Sequence, residues 1–260
     1  MIRITNPVTG LDHNLLPEVK SVKAPQALLF VGNSFFFFNN GAHRYVRLIL
    51  KNAPTPPKYR GNMVAINGSS LSWHDLESYF RPHAISSYSF SQDGENRVIF
   101  RDPSEQLWDA VILHDSSQGP IHPRLEKDFV EFAKLDAEIC RKYHAEPIFI
   151  ASWCYQDKPE MTAQLADAVI KVANDNHAIV IPAGLAFAEA HRRDSELNLY
   201  ISDKRHPKPA GTYLLALTIV ETIFGIDVRE ITNAFDIDPE LAFYLREVAH
   251  DTVTKFFSRL

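Results

Sequence analysis

Ser34 follows a short apolar run, Leu28-Leu29-Phe30-Val31, that is broken by Gly32 and Asn33. A serine delivered where a buried strand ends and a helix begins offers its hydroxyl beside free backbone N–H groups, which suits a nucleophile for acyl transfer. The same serine would also serve as a plain helix cap. Far along the chain, Asp203 and His206 stand three residues apart in a polar loop, followed directly by Pro207, a residue suited to the first position of the next helix. At that spacing both side chains can face one point. The carboxylate accepts a hydrogen bond from one ring nitrogen, fixes the tautomer, and leaves the other nitrogen as a base. An Asp and a His in a solvated loop are ordinary by themselves; with a strand-end serine upstream they form a candidate triad.

The elements that must position these groups are legible as hydrophobic runs. Residues 26–31, 62–66, 110–113, 147–151 and 179–181 read as buried strands, and Arg97 to Phe100 as an extra one. Between them, residues 41–52, 124–143, 160–176, 184–193 and 207–224 carry helical spacing, and 71–80 a mixed one. Asp238 and Pro239 start a last helix through Leu241, Leu245, Val248 and Phe256. Short Ile/Val/Leu-rich strands alternating with helices predict one parallel sheet between two helical layers. Residues 1–25, punctuated by Pro7, Gly10, Pro17 and Pro25, read as an irregular arm lying on the domain, and 226–260 as a helical extension. The Ser-rich stretch 82–106, with a turn at Asp93-Gly94, reads as a flap over the site. No linker divides the 260 residues, so a single domain is expected.

A net charge of −5 gives no basic footprint, so neither nucleic acid nor an anionic membrane is expected as a partner. Two cysteines, Cys140 and Cys154, cannot make a disulfide framework and read as buried thiols. The first residues lack the apolar core of a secretion signal and no run is long enough to span a membrane, so a cytoplasmic location is expected. The composition is silent on oligomeric state.

Several blocks together resemble a known family. Gly32-Asn33-Ser34 and Asp203…His206-Pro207 look like the first and fifth blocks of the SGNH (GDSL-like) hydrolases. Asn67-Gly68-Ser69-Ser70-Leu71-Ser72-Trp73-His74 resembles the second block, close to the wording of a bacterial branch of uncharacterised members. The stretch from Trp108 to Pro120 stands where the third block belongs, and Ala183-Gly184 and Tyr200…Gly211…Tyr213 also follow that branch. The resemblance implies a three-layer α/β/α sandwich around a five-stranded parallel sheet, the flavodoxin-like SGNH hydrolase fold. It further implies a cofactor-free, metal-free serine esterase acting on a small-molecule ester, such as an O-acetyl group on a carbohydrate. Ser34 would be the nucleophile, His206 the general base, Asp203 its orienting partner, and the backbone N–H groups of Ser34 and Gly68 would hold the oxyanion. The family's third donor is an Asn side chain of the third block, where this chain reads His114-Asp115-Ser116-Ser117-Gln118. Gln118, a serine hydroxyl or a displaced Asn takes that role, or the hole lacks one donor at a cost of about a hundred- to a thousandfold in rate.

Residues just after other strands should wall such a cleft: Trp73 and His74 after the second, His114 after the third, Trp153 and Tyr155 after the fourth. Their aromatic surfaces suit a sugar or a planar acyl group, although Trp73 and Trp153 read equally well as core. The run Phe35-Phe36-Phe37-Phe38 invites a lipid site, but a first turn packed on the sheet explains it better. Two other functions stay open: a binding protein on the same fold whose altered third block has cost it catalysis, and a metal-dependent hydrolase built on His114, Asp115 and His122. The first requires Ser34 and His206 to be misaligned; the second requires its three ligands to converge.

Overall fold

The computed structural model describes residues 13–258. Strand β1 (Ala27–Gly32) leads into a one-turn helix α1 (Ser34–Phe37), then α2 (Ala42–Lys51) and β2 (Arg60–Ala65). A hairpin follows, β3 (Tyr88–Phe90) with β4 (Val98–Phe100), before β5 (Ala110–Leu113), α3 (Glu126–Lys142) and β6 (Glu146–Ile150). The chain closes with α4 (Met161–Asp175), β7 (Ile179–Ile181), α5 (Ala183–Arg193), α6 (Pro209–Phe224) and α7 (Pro239–Ser258). Five strands form one sheet in the order β2-β1-β5-β6-β7, with every neighbouring pair parallel. With the hairpin set aside, this is the flavodoxin-like order, in which the strand sequence reverses beside β1 and ligands lie outside the carboxyl ends of the strands.

Alternation along each strand sends side chains to the two faces. Leu28, Phe30, Ile112, Ile148, Ile150, Ile179 and Ile181 join the layer of α2, α5, α6 and α7, whereas Leu29, Val31, Val111, Leu113, Phe149 and Val180 join that of α3 and α4. The expected α/β/α layering is therefore present. Helix α6 is apolar around nearly its whole circumference because α2, α5 and α7 surround it. Residues 13–25 have no regular structure; Asn14 and Leu15 donate to Asp167 and Glu18 to Asn174 on α4, and Val19 and Val22 pack against the layer of α2, α5, α6 and α7. Of the expected arm at 1–25, Pro7 and Gly10 lie outside the described residues. Both cysteines are buried free thiols. Among the described residues no helix is long and apolar enough to cross a membrane.

Two expectations need correction. Residues 71–80 form two 3-10 turns, Leu71–Trp73 and Leu76–Phe80, rather than one helix. The stretch 82–106 is no flap over the site. Gln106 donates to the His144 carbonyl just before β6, and Arg60 at the start of β2 reaches the Leu107 carbonyl just before β5. Those anchors hold the hairpin at the amino-terminal rim of the sheet, opposite Ser34. The extra strand expected at 97–100 is β4; its partner β3 has no sequence signal because only three residues of each pair, with all their large side chains about half exposed.

Asp115 and Asp136 are both buried. Asp136 on α3 is 2% exposed, and its Oδ2 finds no partner among the described residues. Burial, and then the charge of Asp115, push its carboxyl up to about 8. Such a group holds its proton more tightly folded than unfolded. Its contribution is complete below the unfolded value of about 3.9 and is lost as pH rises through the folded one. Asp136→Asn is therefore expected to raise the melting temperature by several degrees above about pH 8 and far less below about pH 4. Melting curves across that range test this; an equal shift at both ends would refute it.

Candidate active site

The carboxyl end of β1 is crowded. A Cβ on Gly32 would sit 3.0 Å from the His114 Cβ and 3.2 Å from the His114 carbonyl oxygen, so glycine lets the ends of β1 and β5 close up. The Gly32 carbonyl accepts from Ile66 N–H and from the Ser69 hydroxyl, both at 3.0 Å, which draws the loop after β2 alongside. Asn33 then caps α1: its Oδ1 accepts from Phe35 N–H at 3.2 Å. Its Nδ2 donates to the carbonyls of Ser69 and Asp115, each at 3.0 Å, joining the segments after β1, β2 and β5.

Ser34 opens α1 and is 6% exposed. Its Oγ lies 2.8 Å from His206 Nε2, and His206 Nδ1 lies 2.5 Å from Asp203 Oδ2. A proton on Nδ1 would be donated to Asp203, which leaves Nε2 to accept from the serine hydroxyl. Asp203 Oδ1 also accepts the backbone N–H groups of Arg205 and His206, at 2.9 and 3.0 Å. Burial pushes the Asp203 carboxyl up, but the bonds from the His206 ring and from the two backbone N–H groups outweigh it and hold it at about 2. A permanent carboxylate on Nδ1 and a hydroxyl on Nε2 are the arrangement that moves a serine proton onto an imidazole.

The loop carrying Asp203 and His206 is fastened from several sides. Ile201 N–H donates to the His206 carbonyl at 3.0 Å, Lys208 N–H to Leu199 at 2.8 Å, and Trp153 Nε1 to the Arg205 carbonyl at 2.9 Å. Pro207 bridges to Tyr200 in extended backbone and does not open α6, which begins at Pro209 behind Lys208. The sequence reading placed the start two residues early because both prolines suit a first turn.

The N–H groups of Ser34 and Gly68 donate to no described protein atom, as an oxyanion site requires. Gly68 has φ +71 with nothing within 4 Å of a notional Cβ, so glycine is needed there for the left-handed backbone and not for room. Gln118 is half-buried before the turn 119–121, and its carboxamide makes no hydrogen bond to the described protein. Of the other candidates, Asn33 donates as above, Ser117 Oγ lies 2.8 Å from the Tyr155 hydroxyl, and Ser116 Oγ accepts from Gly119 N–H at 3.1 Å, which leaves its own proton to donate elsewhere.

Of the five expected wall residues, only Trp73 is open, at 62% exposure on the loop after β2. Trp153 is fully buried, its ring stacked between Phe35 and Phe187 at 4.5 Å on each side. His114 is buried against Phe35 and Phe36, and burial pushes its imidazole down to about 3. His74 is buried, 3.0 Å from Ser69 Oγ and 3.1 Å from the Gly32 carbonyl, and braces the loop. Tyr155 is nearly buried, with the Arg205 guanidinium 4.5 Å over its ring. These four support the site from beneath and touch no open cleft.

Among the described residues, His114, Asp115 and His122 do not converge. The one set within ligand distance is Glu221, Asp227 and His250, where α6 meets α7, and Asp227 there is already forked by Arg229. The misalignment expected of a lapsed binding protein is absent at 2.8 Å. Asn33, Phe38 and Asn39 were overlooked as site residues. The run Asn39-Asn40-Gly41 was the available signal, since these residue types tolerate the left-handed backbone that ends a helix abruptly.

No protein-family model and no curated protein matches the chain. Solved structures do. A DUF4886 family protein from Bacteroides uniformis superposes with a TM-score of 0.57 at 20% identity, covering 86% of this chain and 93% of that one. A protein from Slackia heliotrinireducens assigned as an SGNH hydrolase gives 0.54 at 20%, covering 76% and 98%. A catalytic mutant of an acetylxylan esterase from Geobacillus stearothermophilus gives 0.54 at 16%, covering 80% and 98%. The chain has the three-layer fold of the SGNH hydrolases, with a serine, a histidine and an aspartate gathered at the carboxyl edge of its sheet.

Proposed function

We propose that this chain is a serine esterase that removes small acyl groups, with O-acetyl groups on a carbohydrate as the substrate class. The unbroken series from Ser34 Oγ to His206 Nε2 and from Nδ1 to Asp203, at 2.8 and 2.5 Å, carries the reading. Acetylxylan esterases among the structures of like fold support the acyl and sugar parts of it. Trp73 offers an exposed indole face on which a sugar ring can lie.

Ser34 Oγ attacks the ester carbonyl carbon while its proton passes to His206 Nε2, and Asp203 stabilises the imidazolium. The carbonyl electron pair moves to oxygen, where the N–H groups of Ser34 and Gly68 and the carboxamide of Gln118 receive it. When the pair returns, the bond to the alcohol oxygen breaks and Nε2 gives that oxygen its proton. Water then attacks the acyl-enzyme, its proton going to His206 and on to Ser34 Oγ, and the free carboxylic acid leaves.

Fluorophosphonate labelling of Ser34 and turnover of short p-nitrophenyl esters test the assignment. Ser34→Ala is expected to lose both, with hydrolysis down about a millionfold; wild-type turnover in that variant would refute it. Absence of labelling in the folded wild type would favour a binding role. Gln118→Ala is expected to lower kcat by about a hundredfold or more, as loss of one oxyanion donor does. An unchanged kcat would mean that the hole holds two donors.

A further inference from the structure

We propose that Phe38 and Asn39 form a clasp that holds the His206 imidazole over Ser34, so that the strand-end segment supplying the nucleophile also positions its base. Helix α1 ends after a single turn, and Asn39, Asn40 and Gly41 follow with φ of +56, +67 and +89. Three successive left-handed residues turn the chain sharply, a course open to Asn and Gly and strained for most other residues. The reversal lays the Phe38 ring parallel to the His206 imidazole, with centroids 4.2 Å apart and planes 14° from parallel. Phe35 meets the same imidazole edge-on at 5.3 Å and is itself backed by Trp153.

Asn39 completes the hold. Its Nδ2 donates to the Pro207 carbonyl at 2.9 Å and to Thr212 Oγ1 at 2.8 Å. Pro207 is the residue after His206, and Thr212 is fully buried in the first turn of α6. One carboxamide therefore ties the α1 segment to the base loop and to the helix that follows it. Aromatic rings block one face and one edge of the imidazole, and the tether fixes the backbone beside it. Of the other fastenings of this loop, Trp153 reaches the Ser34 segment only by stacking on the Phe35 ring, and the Tyr200–Pro207 bridge does not reach it. A base displaced by about 1 Å loses about a hundredfold in rate, so this tether is expected to act on kcat.

The inference rests on the esterase reading for its kinetic arm alone. In the full chain, Asn39→Gly removes both donors while keeping a residue at ease with φ +56, and Asn39→Asp keeps the shape but presents a carboxylate to a carbonyl. Asn40→Asp places the same charge one residue on and is the control. With p-nitrophenyl acetate, both Asn39 variants are expected to lose about a hundredfold in kcat with KM within about twofold, and Asn40→Asp to match the wild type. Independently of activity, the low-field Nδ1–H proton resonance that disappears in His206→Ala is expected to broaden in both Asn39 variants. If one variant fails to fold, the other decides. Where the wild type is active, wild-type kcat in a folded Asn39 variant overturns the clasp. Where the wild type hydrolyses no ester, the esterase reading has failed by itself, and an unchanged resonance then overturns the clasp.

Discussion

The buried carboxamide of Asn33 is the fastening on which the site depends. Its oxygen caps α1, and its two N–H bonds close on the Ser69 and Asp115 carbonyls. Three loops that leave neighbouring strands are thereby held at one point, next to Ser34. Each bond is worth about 0.5–1.5 kcal/mol net, but an orphaned buried carbonyl costs about 1–3 kcal/mol. A side chain without donors here would leave two such carbonyls facing each other. The arrangement is stiff for that reason, and it fixes the segment that opens at Ser34 against the loops that follow β2 and β5.

The base comes from a different kind of structure. Asp203 and His206 lie on an irregular loop, where hydrogen bonds from the His206 ring and two backbone N–H groups outweigh burial and keep the carboxylate charged while the imidazole stays within reach of Ser34. Rigidity is borrowed from beneath. Trp153, buried in a stack of three aromatic rings, holds the Arg205 carbonyl, and the Arg205 guanidinium covers Tyr155. The aromatic residues at the strand ends thus serve as a bed for the loop that carries Asp203 and His206.

That outcome marks where sequence reading succeeds and where it stops. Strands β5 and β7 were legible residue for residue and β1 and β6 to within one residue at either end, because runs buried on both faces admit little but apolar side chains; β2, half-buried along its length, was legible to within two. The pairing of Ser34 with Asp203 and His206 was legible because three residue types that do one chemistry stood at the right ends of the right elements. The wall was not. Past a strand end the alternation lapses, so nothing in the positions of His114, Trp153 or Tyr155 distinguishes a side chain turned toward a cleft from one turned under it. The tethering carboxamides were missed for another reason: Asn33 and Asn39 act through bonds to backbone carbonyls distant in sequence, which no local pattern encodes.

The β3–β4 hairpin lies at the far rim of the sheet from Ser34, between β2 and β5. In a parallel sheet every crossover must travel back to that rim, so a connection can lengthen there without a residue entering the cleft. Doubling a flexible loop costs only about 0.6 kcal/mol in closure entropy. Chain length between those strands is therefore free to diverge while Ser34, Asp203 and His206 keep their spacing at the opposite end.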